Sequence, residues 1–205
     1  MKKFFSILLI IFVVFVFLFS KNVKKEDKMN IPKKKILVAF FSRTGEQYAV
    51  GNIDKGNTAI LAEIISKKLN AEIFEIKVKN DNYPKDYNEL TEFAKNEKAK
   101  SLRPEIIGKV ENFDTYDTIF IGYPNWWGDM PMPVYTFLES YDFTGKKIIP
   151  FCTHESSGLG TTPGKLQKVV KGKVLNGFGL YGHIAQNDRE ETESKVNEWL
   201  KNLNI

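Results

Sequence analysis

The sequence predicts an α/β domain: a three-layer sandwich with an open, five-stranded parallel sheet and helices on both of its faces. Three observations predict it. Residues 36–41, ILVAFF, form a continuous apolar run of strand length, which suits a strand covered on both sides. Strand patterns and segments of 3.6-residue periodicity then alternate as far as the carboxyl end, as they do when helices cross over between parallel strands. The loops after the first, third and fourth strands are rich in Gly, Ser, Thr or Trp, and sheets of this kind bind ligands at the carboxyl ends of their strands.

The elements follow in order. After the first strand and an irregular stretch, Ile60, Leu61, Ile64, Ile65 and Leu69 keep a helical period, and Asn57 is placed to cap that helix. Residues 72–78, EIFEIKV, alternate as a strand near an edge would, which completes a right-handed βαβ unit. A polar helix carries Tyr87, Leu90 and Ala94; a strand runs from Thr118 to Gly122; a helix holds Val134, Phe137 and Leu138; and a fourth strand spans Lys147 to Cys152. A helix around Leu166 to Val170 and a strand near Val174 to Leu180 precede the closing helix. That helix keeps Val196, Trp199, Leu200 and Leu203 on one face, with Asp188 and Glu191 in capping-box spacing at its start.

The rest of the 205-residue chain is different in kind. Residues 4–19, FFSILLIIFVVFVFLF, hold Ser6 as their only polar residue and lie between Lys2, Lys3 and Lys21, Lys24, Lys25. We read residues 1–20 as a short membrane anchor or signal segment. Bulky Phe17 and Phe19 stand where a cleavage site wants small residues, so an uncleaved anchor is expected and a secreted domain is the alternative. Two Lys precede the span and four follow it, which leaves the side of the globular domain open. Residues 21–35 are a charged linker around Pro32, and 36–205 the domain.

The net charge of +5 is concentrated at the amino end. Residues 1–30 hold six Lys against Glu26 and Asp27, so the remaining 175 residues carry 24 basic and 23 acidic side chains. That balance offers no pull toward phosphate backbones, and nucleic acid is not expected as a partner. Cys152 is the only cysteine, which excludes an intramolecular disulfide and a cysteine metal cage; no metal is expected.

Three loops carry the chemistry. The first, Ser42-Arg43-Thr44-Gly45, is separated by an eleven-residue insertion, Glu46 to Gly56, from Asn57-Thr58 at the start of the helix. Hydroxyls beside a helix amino end suit a phosphate, although an ordinary strand-to-helix connection would also use them. The loop lacks the Gly-Lys-Ser/Thr ending of a triphosphate-binding loop and the GxGxxG of a dinucleotide site. The second loop is Gly122-Tyr123-Pro124-Asn125-Trp126-Trp127-Gly128-Asp129-Met130-Pro131. Two Trp between Gly and Pro fit a flat aromatic ligand, or else core packing. The third, Thr153-His154-Glu155-Ser156-Ser157-Gly158-Leu159-Gly160, can offer backbone donors to the rim of a ring. Its serines lack the GxSxG spacing of a hydrolase, and His154 is as well explained by a structural role as by acid-base chemistry.

Together these loops resemble those of the flavodoxins, in the branch whose phosphate loop is split by an insertion, over residues 36–203. Ser42, Thr44, Gly45, Asn57 and Thr58 look like the interrupted phosphate loop. Pro124, Asn125, Trp126, Trp127 and Gly128 look like the first ring loop, and Thr153, His154, Ser157 and Gly158 like the second. The resemblance implies a flavodoxin-like strand order 2-1-3-4-5, non-covalent flavin mononucleotide (FMN), and electron transfer with redox partner proteins. It implies phosphate contacts from Ser42, Thr44 and Thr58, stacking by Trp126 or Trp127, and a Gly128 peptide able to reorient beside a flavin. The insertion has no assigned role, but Tyr48 in it is placed to cover a ligand. An FMN-dependent reductase of quinones or similar acceptors is the alternative function, and a flavin-free membrane-bound interaction module a second one. A receiver domain is excluded because Phe41 and Ser42 stand where it needs acidic residues.

Overall fold

Five parallel strands form the centre of the computed structural model, which describes residues 35–203 and 205. From the amino end, β1 (Ile36–Phe40) leads to a hairpin, β2 (Gly45–Gln47) and β3 (Gly51–Ile53), and then to α1 (Asn57–Leu69). Next come β4 (Glu72–Glu75), β5 (Lys77–Val78), α2 (Tyr87–Ala99) and β6 (Ile106–Ile107). A single 3₁₀ turn at Phe113–Thr115 precedes β7 (Thr118–Pro124), α3 (Met132–Glu139), β8 (Lys147–His154) and α4 (Thr162–Val169). Then follow β9 (Lys173–Val174), β10 (Phe178–Tyr181), α5 (Gly182–Asn187) and α6 (Arg189–Lys201). The sheet order is β10-β8-β7-β1-β4, with β9 also beside β8 and every pairing parallel. Counting β9 and β10 as one interrupted strand, this is the expected 2-1-3-4-5. The anchor and the linker up to residue 34 lie outside the described residues; among those described, no helix is long and apolar enough to cross a membrane.

Burial on both faces explains why the strand sequences are apolar throughout. Leu37, Ala39, Ile119, Ile121 and Ile148 enter one core, under Leu90 of α2, Phe137 of α3 and Leu166 of α4. Val38, Phe40, Phe120, Ile149 and Phe151 enter the other, under Leu61 and Ile65 of α1 and Val196 of α6. Successive residues of a strand point to opposite faces, so a strand covered on both sides has few places for a polar side chain. Trp199 closes the second core, stacked on Phe178 at 4.9 Å.

Three local expectations are revised. Asn57 does not cap α1: the cap position is Gly56, and the first-turn amide of Ala59 donates instead to Ser42 Oγ at 3.0 Å, from the loop after β1. At α6, Asp188 accepts from the Glu191 amide at 2.8 Å, but Glu191 pairs with Lys195 rather than completing a capping box. The second strand breaks after Glu75: Ile76 still donates to Phe40 O at 2.7 Å, whereas Lys77–Val78 turns away to pair antiparallel with β6.

The fifth strand is interrupted for a reason visible in β8. Leu175 donates to Ile148 O and Lys173 to Lys146 O, so the even-numbered residues of β8 turn their backbone groups toward this strand. Pro150 is the next in that series and has no N–H to give. Opposite it the register slips by one residue, from Val174 beside Ile148 to Phe178 beside Phe151, a bulge that absorbs the missing donor. Gly177 makes the bulge possible, because a Cβ there would lie 2.6 Å from Pro150 O and 2.9 Å from Leu159 Cδ1. Gly177→Ala should therefore destabilise the domain by about 2 kcal/mol, lowering Tm by roughly 4–8 °C in a thermal melt.

Candidate functional site

A cavity of about 420 Å³ opens at the carboxyl ends of β1, β7 and β8. One end is built by the junction between β1 and α1. The chain there runs so close to itself that a Cβ on Gly56 would lie 2.2 Å from Ser42 Oγ and 2.4 Å from Arg43 O. Only glycine permits the approach, and it brings the Ser42 hydroxyl under the amino end of α1. Ser42 Oγ accepts from Ala59, which leaves its own proton free to donate, and the amides of Asn57 and Thr58 have no intrahelical acceptor. Thr58, 1% exposed, shares a 2.7 Å hydrogen bond with the Thr153 hydroxyl at the end of β8. Only one of those two protons is used between them, so the pair can still donate once more.

Unmatched polar atoms concentrate at this site. Of five buried side-chain polar atoms without a partner among the described residues, three belong to residues that line the cavity: Arg43 Nε, Gln47 Nε2 and Asn57 Oδ1. Each costs about 1–3 kcal/mol while unsatisfied. The Arg43 guanidinium is otherwise held by Asp81 through Nη1, by Tyr83 O through Nη2 at 3.2 Å, and by the Tyr83 ring. It is a fixed positive charge beside the helix amino end.

The aromatic wall comes from the loop after β7. Trp126 and Asp129 exchange backbone hydrogen bonds of 2.9 and 3.0 Å, and Trp127 and Gly128 between them have φ of 55° and 68°, the sign pattern of a type I′ turn. A left-handed conformation is unfavourable for a residue as bulky as Trp. Trp127 is held there by Nε1 donating to Thr91 O at 2.9 Å, by Lys98 donating to its carbonyl at 2.6 Å, and by Lys95 over its ring. The base of the turn is Asp129, 4% exposed, which accepts from the Met130 amide, the Tyr135 hydroxyl and Lys165. Trp126 is packed edge-on against Phe41 at 5.6 Å, while Trp127 is 49% exposed at the mouth.

The loop after β8 closes the third side. The Asn125 amide donates to Gly158 O at 2.7 Å and ties the two ring loops together. His154 Nδ1 accepts from the Ser156 amide at 3.1 Å, and burial holds its imidazole below the ordinary range against the pull of Glu155. Glu155 in turn accepts from the His183 amide at 2.9 Å and meets His183 Nδ1 at 2.6 Å, which fastens this loop to α5. Cys152 is buried with its thiol pushed up to about 12, a packing residue donating to Gly158 O.

Ser42, Asn57, Thr58, Pro124, Asn125, Trp126, Trp127, Thr153, His154 and Ser157 thus line one cavity. Thr44, Gly45, Gly128 and Gly158 do not. Thr44 is exposed, since Gly45 already begins the β2–β3 hairpin that carries the chain away. The insertion is that hairpin, and it returns Gln47 and Tyr48 to the rim, where Tyr48 packs near Tyr87 at 5.8 Å. Arg43, Gln47, Glu155 and Gly182, together with Tyr87, Leu90, Thr91 and Ala94 from α2, also line the cavity and were not among the candidates. The contribution of α2 left no signal, because its inward residues are those of any amphipathic helix. Trp127→Ala should change stability little, whereas Trp126→Ala, which empties a core contact, should cost about 3 kcal/mol; denaturant melts of the two variants compare them.

Residues 35–203 match the family model described as flavodoxin. Crystal structures of proteins described as flavoproteins from Bacteroides eggerthii and Bacteroides uniformis are each 30% identical to this chain. They cover 82% of it and 97% and 98% of their own length, with TM-scores of 0.64 and 0.63. A flavoprotein from Lactobacillus acidophilus, crystallised in complex with FMN, is 21% identical over 82% of this chain and 99% of its own, with a TM-score of 0.59, and shares the fold. No curated protein matches. The likeness to the Bacteroides structures and the family match, which spans nearly the whole described domain, agree: the chain belongs to the flavodoxin family.

Proposed function

We propose that the cavity binds FMN and that the domain is an electron carrier. The observation that carries this is the polarity of the cavity: unmatched donors and a helix amino end on one side, two tryptophans on the other. A phosphate monoester fits the first side, through the Ser42 hydroxyl, the free first-turn amides of α1 and the remaining proton of the Thr58–Thr153 pair. Arg43 Nε and Gln47 Nε2 offer further donors, and Asn57 Oδ1 an acceptor for a ligand hydroxyl. A flat ring fits the second side, between the loop of Trp126 and Trp127 and the loop of His154 and Ser157. The solved relative crystallised with FMN supports the choice of ligand.

Bound FMN would supply the redox chemistry, accepting and releasing electrons singly or in pairs. The chain's part is to hold the phosphate, orient the ring, and keep water from it with aromatic walls that disfavour added negative charge. No side chain at the site is arranged as a proton donor of shifted affinity: His154 is held neutral and its Nδ1 is occupied. In this proposal the carrier exchanges electrons with partner proteins through the mouth at Trp127, and residues 4–19 tether it to a membrane.

Purified full-length protein reconstituted with FMN and titrated anaerobically with a reductant should take up electrons in two separate one-electron stages. Rapid consumption of NADH or NADPH would make it a reductase instead, and failure to bind FMN would overturn the proposal. Ser42→Ala and Thr58→Val should each weaken FMN binding about tenfold or more, the loss of one charge-assisted hydrogen bond. Thr44→Val should leave the affinity unchanged; flavin fluorescence quenching measures all three.

A further inference from the structure

A second cavity, of about 370 Å³, lies on the far side of Tyr83, between the β5–β6 ladder and the carboxyl half of α2. Its walls are apolar, from Val78, Phe93, Leu102 and Pro104, and one of its lining residues is a buried carboxylate. Glu97 is 6% exposed and accepts from the Tyr83 hydroxyl at 2.7 Å. No cation answers it. Arg103 is committed to Glu139, through Nε and Nη2 at 2.8 Å each, and to the carbonyls of Ser101 and Leu102. Lys79 pairs with Glu105 at 2.8 Å, and no Lys or Arg among the described residues forms an ion pair with Glu97.

A carboxylate withdrawn from water without a counter-charge is costly, and one hydroxyl donor offsets only part of that cost. Burial accordingly holds the Glu97 carboxyl above the usual carboxylate range, with the Tyr83 hydroxyl opposing it. The cavity is of small-molecule size. A ligand that satisfies it brings a positive head with several N–H donors and a short carbon chain.

We propose that this second cavity binds a small organic cation, an alkylammonium or alkylguanidinium whose head pairs with Glu97 and whose chain lies on Phe93, Leu102 and Pro104. The proposal is independent of the flavin reading, although the two cavities share a wall. Tyr83 receives Arg43 over its ring at 5.1 Å and Trp126 at 5.7 Å, and both of those residues line the first cavity.

The test is calorimetric titration of the full-length protein with n-butylammonium chloride, with n-butanol and sodium butyrate as matched probes. Saturable binding of the ammonium alone is expected. Glu97→Gln keeps an acceptor for the Tyr83 hydroxyl but removes the charge, and should lower the affinity about tenfold or more. Leu102→Lys changes a side chain 45% exposed at the mouth, leaves the Tyr83–Glu97 bond in place, and should weaken binding by repulsion. It carries the test if the first variant does not fold. Absence of saturable binding, equal binding of butanol, or an affinity unmoved by either variant overturns the proposal.

Discussion

Where β1 passes into α1, two stretches of backbone approach to a separation that no side chain could occupy, and the rest of the site depends on that contact. Gly56 lies against Ser42 Oγ and Arg43 O, so the strand end and the helix start are held together with a hydroxyl between them. The hairpin that separates them in sequence is excluded from the contact. The same closeness orients α1 so that its amino end, the positive end of its dipole, faces the cavity. It also sets Thr58 against Thr153, joining the first strand's loop to the fourth strand's end.

The opposite wall is held by different means. The turn at Trp127 and Gly128 is strained, and its position rests on a buried carboxylate, Asp129, that receives a backbone amide, a phenol and a lysine. Lys98, which also donates to the Trp127 carbonyl, stands 3.7 Å from the same carboxylate. Strain at a ligand-facing turn persists only when its surroundings over-determine it. The surroundings here come from α2 and α4 as well as the loop itself, so the aromatic wall is positioned by elements distant in sequence.

Between these walls stands Tyr83, which contributes to neither loop motif. It packs on Phe41 and Trp126, carries Arg43 on its face and donates its hydroxyl to Glu97. Burial and the adjacent carboxylate keep the phenol protonated throughout the physiological range. A change at Glu97 therefore reaches Trp126 through a single ring.

Much of this was legible in the chain. The apolar runs 36–41, 118–122 and 147–152 are central strands because both faces of each are covered, and burial on both faces leaves a pattern that needs no knowledge of neighbours. The three loops could be picked out because their residue types, hydroxyls, glycines and tryptophans, are unusual at strand ends. Thr44 was misjudged: adjacency to Ser42 in sequence says nothing of where the hairpin turns away. Arg43, Gln47, Glu155 and the α2 residues were missed because their roles arise from approach in space, through Asp81, through a returning hairpin and through His183. The break opposite Pro150 depends on which neighbour the missing N–H would have faced, a matter of register. The sequence by itself determined the parallel α/β architecture and the three loops that matter, because hydrophobic period and residue chemistry are local. Only the tertiary structure decided which side chains meet in the cavity and which are left without partners, because hydrogen bonding and burial are set by contacts between segments far apart along the chain.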